Sequence, residues 1–348
     1  MFESRKNETK LVEDKVVYMA DVMLIILVIV SLLLAFAIGA NDETFASVVG
    51  VKRLSVRTAV IMGAIIAIIG GFLLSRAVGE TLREDISPDL NMAENPIIIS
   101  IFVAMAISLI LASVFGLPIS STEAMVGAIL GLSFALGKKV DWSMNGMGKV
   151  LVTWIISPII GFTISFLFMK LVNYILGKTI NNFRKHERAN TLFGVLLLVM
   201  VIWTGLSRAG NDINNAIAPM VPLFADSTRT QWYQNLPMLF GGIGLGAGLI
   251  IIGWRVLKTL GNDVVELTPE SAFVTEGSAA VVIFTAVLIG IPVSGTMVLV
   301  SSFMGAGVGM KKPLNFKTVR MIATFIFLTP LISGLIAIAC YFAIRRLF

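Results

Sequence analysis

The chain has 348 residues, of which 57% are hydrophobic and 14% are charged, and its mean hydropathy is +0.91. A soluble domain of this length needs more polar surface, so the composition excludes an ordinary soluble protein and favours a membrane protein. The net charge of +6 does not indicate nucleic-acid binding, because the Lys and Arg residues lie mostly in short gaps between apolar runs. The single cysteine, Cys340, excludes an intrachain disulfide and a cysteine-based metal site.

The first apolar run covers residues 23–39 and approaches the length that crosses a bilayer as a helix. A mixed-charge leader, 1–21, precedes this run, and no small-residue cleavage signature follows it. The run is therefore interpreted as a retained membrane helix rather than a signal peptide. The apolar segments predicted along the chain are 22–50, 57–78, 97–115, 118–137 and 147–176, then 191–224, 236–258, 271–290, 292–309 and 317–346.

An internal repeat organises these segments. Four landmarks recur in the same order, with the members of each pair roughly 170 residues apart, and chance is a poor explanation for all four. The landmarks are Asn41-Asp42 and Asn211-Asp212, the Gly-x-Pro breaks that begin at Gly116 and Gly290, the lysine pairs that begin at Lys138 and Lys311, and Pro158 and Pro330.

The repeat predicts the domain organisation and the fold class. Loop charges differ between corresponding positions of the two copies, which favours opposite orientations with a cytoplasmic linker and the N-terminus outside, although Arg345 and Arg346 argue against this. The predicted fold is an all-α polytopic membrane protein with two inverted repeats, broken helices and re-entrant half-helices. Its parts are a leader (1–21), a first transmembrane repeat (22–177), a basic linker (178–190) and a second transmembrane repeat (191–348). Within the linker, residues 184–188 are predicted to form a charged loop with His186 at the surface.

Two Asn-Asp pairs lie in apolar segments, where polar groups are costly. Asn41-Asp42 and Asn211-Asp212 are flanked by Gly or Ala, which suits a break in a helix because glycine readily leaves helical angles. Freed carbonyl oxygens, amide oxygens and carboxylates are hard donors for a hard cation such as sodium. The alternative is that each pair caps a helix near the membrane interface. Recurrence in both repeats favours the cation site.

A second pair of patterns predicts an anion site. Each Gly-x-Pro break is followed by hydroxyl residues, and proline with Ser or Thr is typical of a helix start. A helix start presents unpaired N–H groups and the positive end of the helix dipole, which favour an anion without any lysine. The alternative is local capping at a kink; duplication again favours the functional interpretation. The predicted anion ligands are Ser120, Ser121, Thr122, Ser294, Gly295 and Thr296.

Two further charged residues allow more than one interpretation. Arg208 precedes the second Asn-Asp pair and either attracts an anion or pairs structurally with an acid. Glu276 is predicted to lie within the membrane, where it binds a cation or a proton or holds a polar network.

At these residues the chain resembles the inorganic phosphate transporter family, the sodium- or proton-coupled phosphate permeases. GANDETFASVVG and AGNDINNAIAP resemble the duplicated Gly-Ala-Asn-Asp signature of that family, and Asn215 matches its downstream Asn. GLPISST and GIPVSGT resemble its Pro-Val-Ser-Thr-Thr segments, which the family usually follows with His, whereas Glu123 and Met297 stand here. The resemblance covers residues 30–340 approximately.

The resemblance implies inverted repeats, a phosphate site at the half-helix starts, adjacent sodium sites that include Asn215, and often a homodimer. The wider group also contains sulfate carriers, so the fold alone does not settle the anion. Phosphate keeps a proton at neutral pH and donates a hydrogen bond to an ionised Asp, whereas sulfate is only repelled. The presence of Asp42 and Asp212 therefore favours phosphate.

The leading hypothesis is a multi-pass cell-membrane symporter of sodium and inorganic phosphate, with sodium ions as coupling ions and no other cofactor. Sodium is expected at Asn41, Asp42, Asn211 and Asp212. The first alternative is a permease for phosphate or another oxyanion that is driven by protons through Glu276 or an Asp. The second alternative is an intramembrane enzyme with Asp42 and Asp212 as a carboxylate pair. No nucleophile or metal motif accompanies this pair, so the chain is predicted not to be an enzyme. A channel is the remaining alternative.

Overall fold

The protein is described by a computed structural model that covers most of the chain. The leader 1–21 and the Gly-x-Pro break that begins at Gly290, both named from the sequence, lie outside the described residues. The described residues are 22–74, 86–91, 94–179, 182–217, 220–224, 230–288 and 293–346. They form helices and connecting segments, and none of them lies in a β-strand.

The described residues of the first half form six helices that match the predicted segments closely. Apolar runs account for most of them, and Pro96 at the start of the fourth helix is pre-organised for a first turn. The helices are α1 (Val22–Ala40), α2 (Ala46–Gly50), α3 (Val56–Leu74), α4 (Asn95–Val114), α5 (Ser121–Ala135) and α6 (Met147–Thr179).

The second half follows the same order. A π-helical turn, Leu249–Gly253, joins its third and fourth helices into one continuous rod, and a 3-10 turn at Val221–Phe224 follows the first. The helices are α7 (Phe183–Ile217), α8 (Gln231–Gln234), α9 (Leu236–Gly248), α10 (Trp254–Asp263), α11 (Pro269–Leu288), α12 (Gly295–Gly309) and α13 (Phe316–Ile344).

Helix length separates full membrane spans from half-helices. Among the described residues, seven helices are long and apolar enough to cross a bilayer: α1, α3, α4, α6, α7, α13 and the α9–α10 rod. In contrast, α5 and α12 have 15 residues each, which gives about 22 Å at 1.5 Å per residue. A bilayer core is about 30 Å thick. The prediction of half-helices is therefore confirmed, and the predicted break in the first helix lies between α1 and α2.

The distribution of side chains is that of a protein surrounded by lipid. Large apolar residues such as Ile155 and Phe327 project outward and are exposed, whereas Glu43, Glu123 and Glu276 are buried in the interior. Lipid tails are as apolar as leucine, so outward-facing apolar side chains cost nothing in a bilayer, while interior polar groups need partners. The protein is a multi-pass membrane protein.

The two halves interlock through close helix crossings. The half-helix α5 packs against α13, and the half-helix α12 packs against α6, so each half-helix rests on the last helix of the other half. Glycines permit these approaches: a Cβ at Gly127 of α5 would overlap the backbone of Pro330, and a Cβ at Gly305 of α12 would overlap that of Phe162. Small residues allow helix backbones to pack closely in membranes.

Two expectations drawn from the sequence are wrong. The second Asn-Asp pair was expected to break its helix, but α7 continues through Asp212 to Ile217, because no residue there removes a backbone hydrogen bond or needs a non-helical angle. The basic segment that contains Arg184 and Lys185 was expected to be a loop. It instead forms the first turns of α7, with His186 exposed.

We expect Gly127→Val to destabilise the protein. The added side chain would force α5 and α13 apart, and overpacking of this kind costs about 1–3 kcal/mol. Thermal unfolding in detergent measures the effect. Gly177→Ala is the matched control, because a Cβ at Gly177 meets no atom within 4 Å. Equal melting temperatures for the two variants would contradict the close crossing.

Candidate functional site

The first Asn-Asp pair lies in the non-helical segment between α1 and α2, as predicted. Asn41 is buried there, and its side chain binds the segment that leads into α5. Its Oδ1 accepts a hydrogen bond from Ser113 Oγ at 3.1 Å and one from the Ile119 N–H at 3.4 Å. Its Nδ2 donates to the Ile119 carbonyl. Asn41 therefore fixes the break in α1 against the start of α5.

Asp42 forms the turn that ends α1. Its Oδ1 accepts from the backbone N–H of Thr44 at 3.0 Å and from Thr44 Oγ1 at 2.6 Å. A short polar side chain that bonds the backbone two residues on competes with helix continuation. Nearby, Gly39 lets the end of α1 touch α9, because a Cβ there would overlap the backbone of Leu245. The break thus has a local cause and a tertiary cause.

Glu43, the next residue, connects the break to the second half of the chain. Only 1% of its side chain is exposed. Its Oε1 lies 2.9 Å from Nη2 of Arg208 in α7 and accepts a hydrogen bond from Thr296 Oγ1 of α12 at 3.0 Å. One carboxylate oxygen therefore joins the broken segment, the long helix α7 and the second half-helix.

The second Asn-Asp pair lies inside α7. Asp212 is half-buried and interacts electrostatically with Arg208, Asp42 and Glu43, so the charged residues of both repeats face one region. Asn215 lies one turn further along α7 and is half-buried. The side chain of Asn211 lies outside the described part of the chain, and its role as a cation ligand stays a prediction.

The first predicted anion segment forms the start of α5. Gly116, with a φ of 70°, turns the chain after α4, and a left-handed angle of this kind favours glycine. Ser120 is the N-cap residue, and its Oγ accepts from the Thr122 N–H at 3.2 Å. Ser121 and Thr122 occupy the first turn and are half-buried. The prediction that this segment starts a helix is confirmed.

The second predicted anion segment forms the start of α12 in the same way. Ser294 is the N-cap residue, and its Oγ accepts from the Met297 N–H at 3.2 Å. Gly295 and Thr296 are the first two helical residues, and Thr296 is buried. The starts of α5 and α12 therefore have matching cap chemistry, as the repeat predicts.

Glu123 links these two helix starts. It is fully buried at the third position of α5, and its Oε1 accepts a hydrogen bond from Ser294 Oγ at 2.8 Å. Ser294 thus caps α12 with its oxygen while it donates its proton to the other half-helix. This contact holds the N-termini of α5 and α12 together in the protein interior.

Glu276 lies in α11, within the interior as predicted. It is 3% exposed, and its Oε1 accepts a hydrogen bond from Ser47 Oγ of α2 at 2.6 Å. It also interacts electrostatically with Arg208, Glu43 and Asp42. The structure therefore connects Glu276 to the charged region around the first Asn-Asp pair.

The arrangement places oxygen donors beside two helix N-termini. Among the residues that the structure describes, no three His, Cys, Asp or Glu side chains converge as a metal centre requires. A sodium ion here would therefore need carbonyl, amide or hydroxyl oxygens as well as carboxylates, which is common for hard cations. The helix starts supply N–H groups and hydroxyl groups suited to an anion.

Sequence reasoning missed Glu43 and gave Glu123 no role. Glu43 is the third consecutive polar residue in an apolar segment, and this signal was available in the sequence. Glu123 follows a cap residue by three positions, which is also typical of an ordinary capping box. Only the contact between Glu123 and Ser294 in the other half distinguishes Glu123 from the glutamate of an ordinary capping box.

Broken helices, paired half-helix starts and buried charges within an apolar bundle define the protein as a multi-pass membrane transporter. The model of the phosphate transporter family matches residues 38–337, and the chain belongs to that family. The family consists of transporters, so the prediction that the protein is not an enzyme is confirmed.

Comparison with individual proteins agrees with this assignment. A Thermococcus kodakarensis protein named as a phosphate permease is 27% identical, with 91% of this chain and 96% of that protein covered. A Bacillus subtilis protein named as a low-affinity inorganic phosphate transporter is 28% identical, with 94% and 98% covered. The solved structure of a sodium-dependent phosphate transporter has the same fold, with a TM-score of 0.77, 21% identity, and coverage of 94% of this chain and 100% of that chain.

We expect Ser294→Ala to destabilise the protein more than Ser120→Ala. Both changes remove a helix cap, which costs about 1 kcal/mol. Ser294→Ala also removes the donor to the buried Glu123, and an unsatisfied buried group costs on the order of 1–3 kcal/mol more. Thermal unfolding of the two purified variants measures the difference. The link between the half-helices is refuted if the Ser120 variant is the less stable one.

Proposed function

We propose that the protein is a secondary active transporter that carries inorganic phosphate together with sodium ions. The main support is the hydrogen bond of 3.0 Å from Thr296, at the start of α12, to Glu43, beside the first Asn-Asp pair. This contact brings oxygen donors for a cation next to a helix start that favours an anion. Opposite charges that bind side by side offset each other, so the two ions cross the membrane together.

In this proposal phosphate binds between the two half-helix starts. Its oxygens accept hydrogen bonds from backbone N–H groups and hydroxyl groups, and the paired helix dipoles favour its negative charge. Glu123 holds the two starts together through Ser294, which supports one shared site rather than two separate sites. The proposed ligands are Ser120, Ser121, Thr122, Ser294, Gly295 and Thr296.

Sodium ions bind next to phosphate in the region of the buried carboxylates. The electrostatic interaction of Asp42 with Asp212 supports a region to which both repeats contribute, since neighbouring carboxylates favour a shared cation. Backbone carbonyls of the break after α1 are further donors. The proposed cation ligands are Asn41, Asp42, Asn211, Asp212, Asn215 and Glu276.

Alternating access follows from the interlocked halves. Each half-helix packs against the last helix of the other half. Two inverted repeats would produce this reciprocal packing. In the proposal, one bundle moves against the other around the fixed site, as in other repeat transporters. The proposal also includes a homodimer, and its support is the resemblance to the family alone.

Proton coupling is the second candidate. Glu276 is buried and accepts a hydrogen bond from the neutral hydroxyl of Ser47. A carboxyl group in such surroundings is a typical proton site of membrane transporters. Uptake that responds to a pH gradient and persists without sodium would favour this candidate over sodium coupling.

Uptake of labelled phosphate into proteoliposomes tests the proposed function. We expect an inward sodium gradient to drive accumulation, and an equal potassium gradient to drive none. Arsenate should compete, since it also keeps a proton at neutral pH, whereas sulfate should not. Sodium-independent uptake would exclude the coupling, and sulfate competition would exclude the proposed anion selectivity.

Asp42→Asn and Asp212→Asn test the cation site. Each change keeps the size of the side chain and removes its charge, and charged interactions are worth about 1.5–3 kcal/mol. We therefore expect sodium-driven uptake to fall roughly tenfold or more. Asp141→Asn is the matched control, because Asp141 makes the same kind of turn, with Ser143 N–H at 2.9 Å, at a half-buried position in the segment between α5 and α6. Normal uptake by both test variants would remove these residues from the site.

A further inference from the structure

Arg208 is a positive charge at the centre of the bundle. It lies in α7, one helical turn before Asp212. Its Nη2 is 2.9 Å from Glu43 Oε1, so the pair joins the break after α1 to the second half of the chain. Arginine in a membrane segment is costly and therefore usually has a function.

The two members of the pair differ in access. The Glu43 side chain is 1% exposed, whereas 23% of the Arg208 side-chain surface is accessible. Glu43 also keeps a second donor, Thr296, at 3.0 Å. The Arg208 side chain is therefore the less enclosed of the two, and Glu43 would remain hydrogen-bonded if Arg208 moved away.

Arg208 also lies against the start of α12. A Cβ built on Gly295 would be 3.8 Å from Arg208 Nη2, a distance of ordinary contact. The guanidinium group thus lies beside the N–H groups of the half-helix, where the helix dipole already favours a negative charge. Guanidinium binds the oxygens of phosphate in a bidentate manner, which an ammonium group cannot do.

We propose that Arg208 exchanges partners during transport: it pairs with Glu43 in the empty carrier and binds phosphate in the loaded carrier, where Glu43 binds sodium instead. This inference rests on the proposed function and adds Arg208 and Glu43 to its binding residues. The exchange is a physical cause of coupling. Phosphate alone would leave Glu43 as an unpaired buried carboxylate, and sodium alone would leave Arg208 without an anion.

A purely structural ion pair is the competing explanation. A structural pair stabilises the fold, and its loss lowers stability without changing how sodium affects phosphate binding. The exchange instead predicts that removal of the Glu43 charge releases Arg208 for phosphate even when sodium is absent. The effect of sodium on phosphate affinity therefore separates the two explanations.

Equilibrium binding of labelled phosphate to the purified protein, with and without sodium, is the test. For the wild type we expect sodium to raise phosphate affinity, and coupling of this kind is typically about 5–150-fold. For Glu43→Gln, which keeps an acceptor for Thr296, we expect higher affinity without sodium and a sodium effect of about twofold or less. For Arg208→Lys, which keeps the charge but loses bidentate binding, we expect phosphate affinity to fall about tenfold.

A surface ion pair provides the control. Lys312 and Glu266 form a pair at 3.3 Å in which 88% of the Glu266 side chain is exposed. Lys312→Gln with Glu266→Gln should therefore leave phosphate affinity and its sodium dependence unchanged. Should Glu43→Gln misfold, the double variant Glu43→Gln with Arg208→Gln, which replaces the ion pair by two amides, should fold and lose phosphate binding.

The outcomes separate this inference from the proposed function. Wild-type sodium dependence in Glu43→Gln, or wild-type phosphate affinity in Arg208→Lys or in the double variant, would overturn the exchange of partners. Absence of any sodium effect in the wild type would instead overturn the proposed sodium coupling. In that case the sodium-free affinities of the variants would still decide whether Arg208 binds the anion.

Discussion

A charge within a bilayer must have a partner, and the ion pair between Glu43 and Arg208 meets this requirement at the centre of the protein. Glu43 is only 1% exposed, so water cannot solvate its charge, and the second half of the chain must supply complementary groups in the same place. Thr296 donates to the same Glu43 oxygen, and this contact ties the second half-helix to the break after the first helix. The position of the site therefore depends on how the halves satisfy each other's buried charges.

Hydroxyl–carboxyl contacts extend this arrangement to the rest of the interior. Ser294 donates to Glu123, and Ser47 donates to Glu276, so each buried glutamate receives a hydrogen bond from another helix. Hydrogen bonds between buried groups of different helices favour one packing arrangement over others. The contact between Ser294 and Glu123 also holds the helix starts of α5 and α12 together. The same contacts that hold the bundle together thus create a place for opposite charges.

The protein combines features that resemble the phosphate transporter family with several buried charged residues. The half-helix starts and the duplicated Asn-Asp pairs are the features that resemble the family. Glu123 stands where the family usually has His, and it is fully buried against Ser294. Arg208 places a fixed positive charge next to the proposed anion site. Charge balance in this chain therefore includes a cation that belongs to the protein itself.

The sequence predicted the membrane class, the repeat, the positions of most helices and the starts of both half-helices, because hydropathy and cap residues act locally along the chain. It misplaced the second break: α7 continues through Asp212, since an Asn-Asp pair does not by itself remove helical hydrogen bonds. The contacts of Glu43 with Arg208 and Thr296, and of Glu123 with Ser294, became visible only in the packed helices. These partners lie more than a hundred residues apart, so their pairing depends on how the helices cross, which no local pattern encodes.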